Sequence, residues 1–296
     1  MMGILAALVT VLAWGTWLAP SQNVPLRRQE IRTFYVATAN LIVALAVALW
    51  RGSWELDAGA FWWPFAGGLV WAVSGLCAFT ATANLGIAKA FGIWAPLNIV
   101  VSLVAGRVIF GEFAHPSRTQ LTVLVLAVLL IVAGVVLIVA AKPGAEQQSG
   151  TRSVPRGLLG ALGAGVLWGL YFVPVELAGV SPWAGALPLA IGIFAGSTVL
   201  LLLTRHGPRL AAAQDYLRVT GTGVLWSVGN FGMLMLVDAW GAGRGYTVSQ
   251  LSLVVNALVG IYWLKEPAPR TRGALLTLGG CALATIGGVV IGALKS

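Results

Sequence analysis

"AWGTWLAPSQNV" (Ala13–Val24) and "LWGLYFVPVELAGV" (Leu167–Val180) share one pattern, a Trp-Gly pair followed by a proline. Trp14, Gly15 and Pro20 fall on Trp168, Gly169 and Pro174 at a constant offset of 154. Both stretches are apolar almost throughout, yet the second carries an acid, Glu176, where the first has Gln22. The same offset pairs Gly3 with Gly157, Gly106 with Gly260 and Glu112 with Glu266, and Trp71 meets Trp226 with one residue of slippage. Apolar identities recur by chance, whereas coincident Trp, Pro and Glu at one offset indicate an internal repeat.

Composition sets the class. Hydrophobic residues make up 58% of the 296, charged residues 9%, and the mean hydropathy is +0.90. A soluble domain is about one quarter charged, so most of this chain's outer surface must face lipid. Apolar segments at about 3–20, 33–50, 62–82, 91–111, 119–141, 157–177, 183–204, 217–237, 246–264 and 273–294 are each long enough to cross a bilayer as a helix of ~20 residues. Lipid offers few alternatives, because backbone N–H and C=O groups must be satisfied within the element. The polar stretch "KPGAEQQSGTRSVPR", 142–156, is the linker between two five-helix units, 1–141 and 157–296.

Five helices is an odd number, so the second unit enters the membrane inverted. The positive-inside rule orients the whole: thirteen of the 18 Lys and Arg lie in alternate loops, against Arg51, Arg107, Arg118, Arg244 and Lys295 on the other side. Both termini are therefore expected outside the cytoplasm, and the first segment is expected to be a retained span. The net charge of +9 is scattered singly, without the basic stripe that nucleic acid requires. Cys77 and Cys281 are far apart and read as small core residues. No CxxC or HExxH spacing calls for a metal or cofactor.

"WSVGN" (Trp226–Asn230) and "YTVSQLSLVVNALVGIYWLKE" (Tyr246–Glu266) resemble the second half of the glucose/ribose porter family, bacterial sugar uptake carriers of the drug/metabolite transporter superfamily. "WGTWLAP" and "WGLYFVP" are similar to that family's opening helices, and "APLNIVVSLVAGRVIFGE" (Ala95–Glu112) to the superfamily's fourth helix. The resemblance implies an all-α, ten-helix membrane fold in the bacterial cytoplasmic membrane and import of a small polar solute, most simply a sugar, with proton coupling. An exporter of amino acids, drugs or other metabolites is the alternative, and a homodimer is left open.

Polar groups at membrane depth are the candidates for function. Glu176 lies eight residues after Trp168 and four after Phe172, one helical face if the helix is continuous, and is the expected proton carrier; Asp238, ending the eighth span, is the second candidate. Asn98 and Ser102 in the fourth span match Ser252 and Asn256 in the ninth, and Ser249 shares their face. These, with Asn230 and Gln250, suit hydroxyl recognition, and interhelical hydrogen bonding competes as their explanation. Trp14, Trp17, Trp71, Trp168 and Trp226, with Tyr171, are the expected aromatic walls, since sugars present C–H faces to rings. Trp50, Trp62, Trp63 and Trp183 belong to the interfacial belt. Pro20 and Pro174 are expected hinges.

Overall fold

The computed structural model describes residues 2–52, 58–112, 115–141, 152–171, 173–240, 245, 248–250 and 251–295. Their regular structure is helical, with no strand among them. In chain order the helices are α1 (Met2–Thr16), α2 (Ala19–Gln22), α3 (Gln29–Arg51), α4 (Ala58–Leu85), α5 (Ile87–Ile109), α6 (Arg118–Ala140), α7 (Val154–Leu170), α8 (Val173–Ala178), α9 (Pro182–Leu203), α10 (Ala213–Trp240), α11 (Ser252–Leu258) running into a π-helical turn (Val259–Trp263), and α12 (Arg272–Lys295). Eight segments are long and apolar enough to span a membrane, α1 and α2 counting as one. Val154–Leu170 and Ser252–Trp263 are shorter apolar helices, which brings the total to ten. The chain is an integral membrane protein.

Local chemistry sets the ends. α3 stops at Gly52, whose φ of 64° lets its N–H turn back to the carbonyls of Ala48 and Leu49. α6 opens with a capping box between Ser117 and Gln120, and α9 with Ser181 accepting from the Ala184 N–H. α6 shows how one helix serves both lipid and protein. Leu121, Val125, Leu129, Val132 and Val136 are exposed at three- and four-residue spacing, while Ala127, Ile131, Gly134 and Ile138 are buried against α12, the first two at Gly287 and the last two at Gly280.

Proline explains the two interruptions. A proline cannot donate to the carbonyl four residues earlier. Pro20 thus leaves Thr16 without its helical partner, and α1 ends at Thr16; Pro174 does the same to Leu170, and α7 ends at Leu170. Both breaks occur at the repeated offset.

The most extensive packing joins α4 to α7, α1 to α10, α4 to α9, α3 to α10, α5 to α7, α1 to α11, α3 to α9 and α6 to α12. Every one of these contacts involves one helix from each side of the 142–151 segment. Two of them are matched in atomic detail. A Cβ on Gly15 of α1 would run into Val255 and the Ser252 carbonyl; one on Gly169 of α7 would run into Val101 and the Asn98 carbonyl. The partners stand 154 residues apart in both cases. The fourth and ninth helices also terminate alike: the Glu112 N–H bonds to the Gly106 carbonyl at 3.0 Å, the Glu266 N–H to the Gly260 carbonyl at 2.8 Å.

These close approaches depend on the missing side chain. Gly169→Leu is expected to destabilise the folded protein by about 1–3 kcal/mol through overpacking, read from reversible unfolding in mixed detergent. Gly221→Ala, at a helical position with open space around it, is expected to stabilise by about 0.5–1 kcal/mol.

Candidate functional site

Large rings meet at the centre of the main core cluster. Trp71 of α4 and Trp226 of α10, matched by the repeat, touch edge-to-face with centroids 4.8 Å apart. Trp168 of α7 is the hub, with its ring centroid 5.9 Å from Trp71, 5.4 Å from Trp94 and 6.3 Å from Trp17. Phe79 and Phe91 extend the set through Trp17 and Trp94. The Trp14 indole N–H donates to the Trp226 carbonyl at 3.3 Å.

Beside the rings, two polar contacts mirror each other. Asn256 Nδ2 of α11 donates to the Gly15 carbonyl of α1 at 3.2 Å. Ser102 Oγ of α5 lies 3.2 Å from the Gly169 carbonyl of α7, and 3.1 Å from Asn98 Oδ1. Ser102 and Asn256 are equivalent positions, as are Gly169 and Gly15. Both carbonyls lie in the last turn of an interrupted helix, where intrahelical donors run out.

A second polar centre closes one end of the bundle. Gln22 at the end of α2 donates to Glu266 Oε2 at 3.0 Å and to the Thr82 carbonyl of α4 at 2.9 Å. Arg152, just before α7, pairs with Glu266 Oε1 at 2.6 Å. Arg32 of α3 is 1% exposed, reaches the Ser21 carbonyl at 2.6 Å and lies over the Phe79 ring. Asn84 accepts from the Ser153 N–H, and Lys89 donates to the Ala141 carbonyl. Gly86, at φ 79°, is the turn between α4 and α5, and a Cβ there would meet the Glu266 side chain. The network ties five helices together at one level.

The family model described as sugar transport protein matches residues 5–294. This chain belongs to the sugar transport protein family. It is 25% identical over 278 residues to the glucose uptake protein GlcU of Bacillus subtilis, covering 94% of both chains. It is 24% identical over 300 residues to an Enterococcus faecalis protein named "Putative sugar uptake protein", covering both chains fully. One crystal structure shares the fold, with a TM-score of 0.59 over 98% of this chain and 96% of its own at 19% identity.

In this sugar transport protein the structure gathers Trp17, Trp71, Trp168 and Trp226 in one buried cluster, with Trp14 and Tyr171 packed against it. Ser249, Ser252 and Asn256 are all buried, Ser252 and Asn256 on α11 and Ser249 ahead of its start. Asn98, Ser102, Asn230 and Gln250 are half-buried. Ser102 and Asn256 make interhelical hydrogen bonds. Pro20 and Pro174 sit just beyond the two helix breaks.

The acids fall elsewhere. Glu176 is exposed in the short helix α8, and the interruption after Leu170 removes the continuous face on which it was aligned with Trp168; Phe172 lies outside the described residues. Asp238 is exposed and accepts from Trp183 Nε1 at 2.6 Å, while Arg51 stacks on the same indole. Trp94 was overlooked, although its aromatic neighbour Phe91 precedes it by one turn. Arg32 and Lys89 were counted as loop charges; α3 and α5 begin four residues earlier than their apolar runs, which brings both inside helices.

The Glu266 network should hold its end of the bundle shut. In a variant with Cys77 and Cys281 replaced by serine, a cysteine at buried Leu85 is expected to react slowly with a membrane-impermeant maleimide. Adding Glu266→Ala is expected to raise that rate several-fold, because Arg152 and Gln22 lose their shared acceptor; an unchanged rate would separate the network from closure.

Proposed function

We propose that this protein takes up a monosaccharide, glucose being the first to test, by alternating access between two oppositely inserted five-helix units, 1–141 and 157–296, joined by the 142–156 linker. The observation that carries this reading is the exchange of contacts. Gly15 meets Val255 and Asn256 as Gly169 meets Val101 and Ser102. Such an exchange is what a pseudo-two-fold axis between inverted units produces, and carriers of that architecture bind solute near the midplane where the units meet. The aromatic cluster occupies the junction of helices from both units. The names of the relatives, a glucose uptake protein among them, support the solute class.

The distribution of Lys and Arg makes the Glu266 end cytoplasmic and both termini external. Pro20 and Pro174 then act as hinges for the half-helices α2 and α8. Coupling to protons follows from one unequal pair. Gln22, equivalent to Glu176, donates its amide N–H to Glu266, which is equivalent to Glu112. The same closure at the external end sets Glu176 against Glu112, and a carboxyl group donates to a carboxylate only when protonated. One proton is bound when that end closes. Asp238, held by Trp183, is the lesser candidate.

Purified protein in liposomes is expected to take up labelled glucose or another monosaccharide of a panel, and an imposed pH gradient to drive its accumulation, by at most about tenfold per pH unit at one proton per sugar. Glu176→Gln is expected to keep exchange and lose gradient-driven accumulation. Accumulation that survives this change rules out Glu176 as the carrier; no uptake of any sugar ends the proposal.

A further inference from the structure

Equivalent positions in the two halves make equivalent contacts, but they do not leave equivalent atoms over. Trp14 and Trp168 are matched by the repeat. The Trp14 indole N–H is bonded to the Trp226 carbonyl, whereas that of Trp168, a residue only 8% exposed, is buried with no acceptor among the described residues. Ser102 and Asn256 are matched likewise. The Ser102 hydroxyl is committed to Gly169 and Asn98. Asn256, 0% exposed, spends its Nδ2 on Gly15 and keeps Oδ1 buried and unpartnered among the described residues.

An indole N–H left unbonded in a protein interior is costly, and so is an amide oxygen. A ligand that reached both atoms would satisfy them together. Asn256 is flanked by Leu253 and Ala257, which belong to the same buried cluster as Trp168. A chain of contacts connects the two: Asn256 binds Gly15, Trp17 lies two residues further on, and the Trp17 ring packs on Trp168. Asn256 Oδ1 is also fixed in direction, because the other end of its amide is anchored.

We infer that Trp168 Nε1 and Asn256 Oδ1 are the hydroxyl-reading pair of the solute site, the first donating to one oxygen of the solute and the second accepting from one hydroxyl. This rests on the sugar-uptake reading above and deepens it, since it assigns recognition to the second half and gives the aromatic rings of both halves the role of walls. One donor and one acceptor, both uncharged, select a neutral polyhydroxylated ring. Neither atom supplies the countercharge that a desolvated ammonium or carboxylate would need. The aromatic faces of Trp71, Trp94 and Trp226 suit the C–H face of a pyranose.

The test is equilibrium binding of D-glucose and its five monodeoxy derivatives to full-length protein in detergent, followed by tryptophan fluorescence or calorimetry. Trp168→Phe keeps an aromatic ring and removes the indole N–H together with the five-membered ring that carries it. It is expected to weaken glucose binding about five- to tenfold and to lower stability through the cavity left behind, so the pattern across the deoxy derivatives is the deciding readout. One deoxy derivative should bind the wild type equally weakly and lose nothing further in the variant. Asn256→Ser, which copies Ser102 and keeps a donor towards Gly15, is expected to do the same with a different derivative. If Trp168→Phe leaves glucose affinity unchanged, or weakens all derivatives alike, the assignment is overturned while the transport function stands. If the wild type binds none of the six, the assignment falls, and the uptake panel decides separately whether the function falls with it.

Discussion

A helix broken inside a bilayer leaves carbonyl groups with no water to take them, and the rest of this architecture can be traced from how that problem is solved. Pro20 and Pro174 each remove a donor and end the helix four residues upstream. The last-turn carbonyls of Gly15 and Gly169 are then met by side chains from the opposite half of the chain, Asn256 and Ser102. That reach requires the helices to lie almost in contact, which only glycine at 15 and 169 permits. The Trp-Gly…Pro pattern is therefore one device: proline opens the helix, glycine admits the neighbour that satisfies it, and tryptophan lies one turn from the break. Non-helical backbone at membrane depth is tolerated where protein covers it, and the covering here joins the two halves of the chain at both breaks.

A duplicated device does not have to be used identically twice. Trp14 and Ser102 have their polar atoms committed to the protein, while Trp168 and Asn256 hold atoms in reserve. Gln22 is locked into the Glu266 network, while Glu176 is exposed. In all three pairs the first half holds the structural version and the second half the version with chemistry to spare. Burial explains why this division is economical. Each uncommitted polar atom in the interior costs about 1–3 kcal/mol, so leaving one such atom rather than two at the Trp14/Trp168 and Ser102/Asn256 pairs limits the cost at those positions.

The membrane class and the ten helices were legible because they depend on composition. The meeting of Trp71 with Trp226 was legible in rare residues near one offset, and the two rings touch. The polar network was not. Its members come from the ends of α2, α4 and the π-helical turn and the beginnings of α3 and α7, and nothing in the local pattern around Arg152 points to Glu266. Arg32 and Lys89 were misjudged because apolar runs mark where a helix meets lipid, and a helix begins before that. The alignment of Trp168 with Glu176 by 3.6-residue periodicity failed at the break after Leu170, since an interruption resets the phase that such spacing assumes.

The aromatic cluster also bears on how firmly a solute can be held. In the present arrangement the rings meet edge-to-face or tilted, and each such pair contributes about 0.5–1.5 kcal/mol beyond its buried area. On the proposed reading, a sugar entering between Trp71 and Trp226 would replace ring–ring contact with ring–C–H contact of comparable worth, so the walls by themselves would add little net affinity. What remains is the difference made by satisfying Trp168 Nε1 and Asn256 Oδ1, less the cost of stripping water from the sugar's hydroxyls. A site built this way discriminates through its hydroxyl contacts while binding only moderately, and a carrier that must release its solute on the far side at each cycle requires that combination.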